Sequence, residues 1–241
     1  AGGDEQTVRV ADMDEMVVGR PNRRNQEEWT RRRLYEAERV RLARERRFIQ
    51  YVPTDPKAAG HEAALADVRM LIASFGQKAA WLWDPYLSAS DILKTLFHSP
   101  HAGSDLRALS DAMSVPRDIR PSPGRWRKLM DCLWPPKDQP RPSFADLQRA
   151  HFSACAGNLE GIRLEYRARI GHSGWSFHDR FLIFPDTREG PLAWSLGTSV
   201  NMLGHKHHIL QRVDDGRLVA DAFEQLWADL SGSEQLIWKT P

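Results

Sequence analysis

The spacing of apolar and polar residues changes several times along the 241-residue chain, and each change marks an element. Residues 1–25 are polar without a sustained period and contain Gly19-Arg20-Pro21-Asn22, which reads as a flexible lead-in. Gln26 to Gln50 has no Gly or Pro and is dominated by Glu, Arg, Leu and Ala. That composition predicts a helix capped near Asn25, with Tyr35, Leu42 and Ile49 on one packing stripe at seven-residue spacing. After the connector Val52 to Pro56, helical spacing of Leu65, Val68, Leu71, Ile72 and Phe75 predicts a second helix over Ala58–Phe75. Ala79-Ala80-Trp81-Leu82-Trp83 then reads as a buried strand that stops at Asp84-Pro85, and functional residues often sit at such strand ends. Ser90 is placed to cap a helix from Asp91, with Ile92, Leu93, Leu96 and Phe97 facing inward. Asp105 to Leu109 supplies the next strand, and strand-helix-strand order implies a parallel pair.

Prolines at 116, 121, 123, 135, 136, 140 and 142 exclude a strand and predict a surface excursion with one short helix, Trp126 to Trp134. Ser143 and Asp146 form a capping-box pattern ahead of a helix over Leu147–Cys155. Gly161 to Ile170 alternates apolar with charged residues, a period-two strand with one wet face. His178-Asp179-Arg180 runs into Phe181-Leu182-Ile183-Phe184, which reads as a buried strand with a polar mouth, and Leu192 to Leu196 is its neighbour. His208 to Val213 reads as the last strand. Asp214-Asp215-Gly216 turns into a helix over Leu218–Leu230, and Leu236-Ile237-Trp238 packs back. The expected class is α/β, with a mixed, largely parallel sheet flanked by helices. The expected organisation is a lead-in (1–25), a basic helical arm and connector (26–60), and a main domain (61–241) interrupted by the excursion 116–142.

Composition changes this picture little. The net charge is only +2, so nucleic-acid binding has to rest on local clusters, of which the arginine-rich arm with Arg31 and Arg32 is the clearest. Cys132 and Cys155 are too few and too far apart for a disulfide framework or a zinc site, which fits a reducing compartment. No apolar run approaches the roughly 20 residues that span a bilayer, and the first residues lack a basic-then-apolar signal pattern. A cytoplasmic protein without a membrane partner is therefore expected.

The candidate chemistry lies between Trp175 and Asn201. Residues two apart in a strand share a face, so His178 and Arg180 would point together at the strand mouth. A neighbouring strand would bring Ser199 and Asn201 to the same pocket, and an imidazole, a guanidinium, a hydroxyl and an amide together suit a phosphate. Asp84 and Asp186 are the candidate acids, and Lys206 is a further cation within the run Gly204 to His208. His205 and His207 lack carboxylate or cysteine partners in the sequence, so no metal site is expected.

His178-x-Arg180, a following acid and Ser199-x-Asn201 resemble the signature of the phospholipase D superfamily, His-x-Lys followed by an acid and then Gly-Ser-x-Asn. The likeness covers roughly residues 61–230 and includes the Trp81-to-Tyr86 strand end. Arg180 stands at the lysine position, Pro185 stands at the acid position with Asp186 one residue further on, and Thr198 separates Gly197 from Ser199. The resemblance implies half of a two-part phosphodiesterase that works without metal or cofactor through a phosphohistidine on His178. The second half would come from another copy in a homodimer or from a separate half-domain. Arg180, Ser199 and Asn201 would hold phosphoryl oxygens. A nuclease acting on DNA or RNA in bacterial antiviral defence, with partner proteins of a defence complex, is the implied setting. The alternative is a non-catalytic module that binds nucleic acid or a protein partner.

Overall fold

The computed structural model describes residues 23–53, 56–113, 143–155 and 161–240. The expectations for the lead-in up to residue 22, the proline-rich excursion 116–142 and Cys132 fall outside them. The chain divides into two compact units, Ala1–Glu45 and Arg46–Pro241.

The first unit is described as a single helix, α1 (Arg23–Arg44). Its polar surface is laced by i,i+3 and i,i+4 pairs: Arg32 with Glu28 at 2.8 Å, and Arg41 with Glu38 at 2.6 Å and Glu45 at 3.1 Å. The seven-residue stripe expected to pack does not form one helical face. Tyr35 is 67% exposed, and Ile49 belongs to a strand. The helix stops short of Gln50 because Arg46 takes a left-handed conformation, φ 54°. Phe48–Tyr51 (β1) then pairs antiparallel with a strand far along the chain. A tertiary pairing of β-formers here overrides the helical propensity of the preceding run.

In the second unit the elements follow as α2 (Lys57–Phe75), β2 (Ala79–Trp83), α3 (Ala89–Lys94), β3 (Asp105–Asp111), α4 (Phe144–Ala154), β4 (Arg163–Arg169), β5 (Phe181–Phe184), β6 (Leu192–Ser195), β7 (His208–Arg212), α5 (Gly216–Asp229) and β8 (Leu236–Lys239). Among the described residues the strands form one eight-stranded sheet in the order β1-β7-β6-β5-β2-β3-β4-β8. This is a mixed α/β sheet flanked by helices. Parallel pairing is confined to β2-β3 and β3-β4, and the other neighbours run antiparallel. The sheet is thus less parallel than its strand-helix-strand start implied. The connections between β5, β6 and β7 hold no α-helix, and direct returns of that kind favour antiparallel neighbours.

Alternation along the strands sends side chains to two cores. Leu82, Leu106, Leu164, Leu182 and Trp194 meet α2, α3 and α4 through Leu65, Ile72, Ile92 and Phe152. Trp81, Trp83, Leu109, Ile183 and Ala193 meet α5 through Phe223, Leu226 and Leu230. Local signals set several boundaries. Ser143 and Asp146 form the reciprocal capping box of α4, with Ser143 Oγ accepting from Asp146 N at 3.1 Å. For α3 the same device uses Ser88 and Asp91, two residues before the expected cap at Ser90. The expected helical residues Leu96 and Phe97 lie instead in a 3₁₀ turn, Leu96–His98. The C-terminal tail does more than pack back, because Leu236–Lys239 is the eighth strand, paired to β4.

Candidate active site

At one end of the sheet the carboxyl end of β2 and the amino end of β5 lie side by side, since Trp83 pairs with Phe181. The ladder between β5 and β6 ends with Phe181 opposite Ser195, followed by one more bond from Leu196 N to Arg180 O at 2.9 Å. Gly197, at φ 66°, then turns the chain against the backbone of Ile209. An alanine Cβ there would come within 2.5 Å of Ile209 O, so only glycine allows this approach. With β6 diverted, residues 175–179 have no ladder partner among the described residues, and 175–180 carry no regular secondary structure. The strand therefore starts three residues after His178, later than the sequence pattern suggested.

Asp84 organises this end of the sheet. It is fully buried, and its Oδ1 accepts from Tyr86 N at 3.0 Å while Oδ2 accepts from Val200 N at 2.8 Å. Those bonds join the turn after β2 to the 3₁₀ turn Val200–Met202, whose preceding residue is Ser199. Arg180 Nε donates to Ser199 Oγ at 2.9 Å. The guanidinium carbon lies 5.6 Å from the Tyr86 ring centre. Burial pushes the Asp84 carboxyl above the usual range, opposed by the Tyr86 and Val200 amides, the Ser199 hydroxyl and the charge of Arg180. The fold thus brings Asp84, Arg180 and Ser199 together. Tyr86, which the sequence pattern did not single out, joins them. Its signal was adjacency to an acid at a buried strand end.

The other candidates are distributed differently. His178 is exposed and makes no hydrogen bond among the described residues. Asn201 is exposed within the 3₁₀ turn, and Lys206 is exposed on the loop that follows. Asp186 lies beyond the opposite end of β5, where it pairs with Lys78 at 2.9 Å, so the structure does not bring it to Arg180. Arg31 and Arg32 belong to α1 in the first unit. Trp81, Trp83 and Trp194 are core residues, no more than 3% exposed. Among the described residues no group of three or more His, Cys, Asp or Glu is placed to hold a metal ion. No helix among the described residues is long and apolar enough to cross a membrane.

The histidines after Asn201 fasten the loop. His61 Nδ1 bonds to Leu203 O at 2.8 Å and its ring stacks on His205 at 4.8 Å. His208 stacks on Tyr51 at 4.5 Å and donates from Nδ1 to Lys206 O at 3.0 Å, leaving Nε2 buried without a partner. Burial holds its pKa below the ordinary 6.5, helped by His207 and opposed by the Lys206 carbonyl. The unfolded chain then binds more protons below about pH 6.5, so stability falls as pH drops from there to the folded pKa. Urea unfolding at pH 7.5 and pH 5 should show His208→Phe losing less stability across that interval than the wild-type chain. Equal losses would contradict this.

No family model matches the chain, and no curated protein matches it. Among solved structures it is similar to the polyphosphate kinase of Porphyromonas gingivalis, with 10% identity and a TM-score of 0.39, over 79% of this chain and 23% of that one. It is also similar to TrmBL2, described as an archaeal chromatin protein with a novel mode of DNA binding, with 14% identity and a TM-score of 0.33, over 92% of this chain and 69% of that one. The chain therefore spans about a quarter of the kinase.

Proposed function

We propose that this chain is one half of a phosphodiesterase that cleaves nucleic acid without a metal, with His178 as the nucleophile. The supporting observation is the Asp84–Ser199–Arg180 arrangement. Ser199 takes Nε of Arg180 and leaves both terminal nitrogens without a hydrogen bond among the described residues. A guanidinium fixed along one edge offers its other edge to two oxygens of a phosphate, and such charge-assisted pairs are the strong ones. Asn201 and Lys206 supply a further amide and cation on the same loop.

In this reading the neutral His178 imidazole attacks phosphorus, forming a P–N bond as the P–O bond to the leaving group breaks. The departing oxygen takes a proton from the imidazolium of a second His178, supplied by another copy of the chain. Water then attacks phosphorus and gives its proton to that second imidazole, and the P–N bond breaks. The arginine-rich α1 fits a polyanionic substrate. A place in bacterial genome defence belongs to the same reading. One observation favours the non-catalytic alternative: among the described residues no carboxylate hydrogen-bonds to His178 to orient it.

Titration of the full chain with inorganic phosphate tests the site. Arg180→Ala should weaken binding by roughly 10- to 100-fold, the worth of hydrogen bonds to a charged group. An affinity unchanged by that substitution would contradict the phosphate assignment.

A further inference from the structure

Tyr86 is partly exposed beside the guanidinium of Arg180, and its hydroxyl has no hydrogen-bond partner among the described residues. Its backbone is nonetheless held from both sides. Tyr86 N donates to Asp84 Oδ1 at 3.0 Å, Leu87 N bonds to Asp84 O at 3.1 Å, and Pro85 O accepts from Asp111 N at 3.1 Å. Leu87 O accepts from the buried Tyr166 hydroxyl at 2.7 Å, and that hydroxyl is bonded in turn to Ser110 at 2.9 Å. Pro85 and Leu87 are buried while the residue between them is not. The turn therefore fixes the point from which the Tyr86 side chain leaves the backbone, so little backbone entropy is lost when a ligand meets the ring. A partly exposed aromatic ring suits a flat group that stacks on it.

The position decides which flat group. Arg180 is aimed by Ser199, so a phosphate on its open edge stands beside the Tyr86 ring. In a nucleic acid, the substrate class proposed above, the flat group nearest such a phosphate is the base joined to it through the sugar. Trp81, Trp83 and Trp194 are buried in the two cores and cannot stack a base, whereas Trp175, in the irregular segment before His178, is 38% exposed. We infer that Tyr86 is a specificity-determining residue that stacks a base of a single-stranded nucleic acid next to the phosphate on Arg180. This rests on the phosphate-site reading.

Two probes separate the possibilities at one fixed salt concentration: a short single-stranded oligonucleotide, and an abasic sugar-phosphate strand of the same length. Both are titrated with the full chain by fluorescence anisotropy. Tyr86→Leu should weaken binding of the oligonucleotide by roughly 5- to 100-fold, as expected for loss of one stacked base. It should change binding of the abasic strand by less than about twofold. Tyr86→Phe should restore wild-type binding of both strands to within about twofold. Tyr86→Gln removes the ring independently and should repeat the contrast, and circular dichroism confirms that each variant is folded.

Equal losses on both strands would overturn the inference, because Tyr86 would then serve only to hold Arg180. No loss on either strand would overturn it as well, as would tighter binding to anionic lipid vesicles than to the oligonucleotide. Arg180→Ala reports on the underlying reading separately. If it leaves both strands bound as in the wild type, the phosphate site is wrong. If it weakens both while Tyr86→Leu is silent, only the base contact is wrong.

Discussion

His178→Ala is expected to lower metal-free phosphodiester cleavage by on the order of 10⁴-fold or more, because it removes the atom that attacks phosphorus. Binding should survive. His178 is exposed and makes no hydrogen bond among the described residues, so its removal disturbs neither the Asp84 network nor the packing. Phosphate affinity and unfolding free energy should both stay near wild type, which separates a chemical role from a structural one. If rates with His178→Ala match those of the wild type, any cleavage arises elsewhere in the chain or from a contaminant. In a dimer with shared sites, mixing His178→Ala with wild-type chain should lower activity by more than dilution alone, because a heterodimer has only one of the two imidazoles.

The largest stability effect is expected at Gly204. Its φ is 70°, and an alanine Cβ would overlap the carbonyl of Gly60 and come within 2.6 Å of His61 N. Two costs combine: the left-handed conformation costs about 1 kcal/mol or more in a residue with a side chain. Overlap with backbone at the start of α2 adds about 1–3 kcal/mol. Gly204→Ala should therefore destabilise by about 2–5 kcal/mol in chemical denaturation. Gly103 is an internal control, since it has φ 74° with open space around it and should show only the first cost. The strain at Gly204 acts on the loop that carries Ser199 and Asn201, so phosphate affinity should fall as well. A loss equal to that of Gly103→Ala would show that the loop can move away from α2 freely.

The elements legible in the sequence are those whose signals are local. Ala79–Trp83 is apolar throughout and ends at Asp-Pro. Arg163–Arg169 alternates strictly. Ser143 and Asp146 satisfy each other within three residues. The strands that escaped notice depend on distant partners: Phe48–Tyr51 follows a run of helix formers and becomes a strand only against β7, and Leu236–Lys239 only against β4. The site divides in the same way. Arg180 and Ser199 could be paired from motif spacing, but Asp84 lies 116 residues from Val200, to which it is bonded. Sequence spacing alone put Asp186 forward beside it, whereas the antiparallel course of β5 carries Asp186 to the far end of the sheet, against Lys78. Tyr86 closes the strand end that the likeness covers but is outside the motif residues, and its place depends on where the turn after β2 meets Arg180.

In the proposed reaction His178, Arg180 and Ser199 act on a phosphodiester. The most direct test is cleavage of single-stranded DNA, double-stranded DNA and RNA by the purified full chain in excess EDTA. Cleavage of at least one substrate should persist in EDTA and disappear with His178→Ala. Intact substrates with a folded, phosphate-binding chain would contradict the phosphodiesterase and leave the non-catalytic binding module as the correct reading.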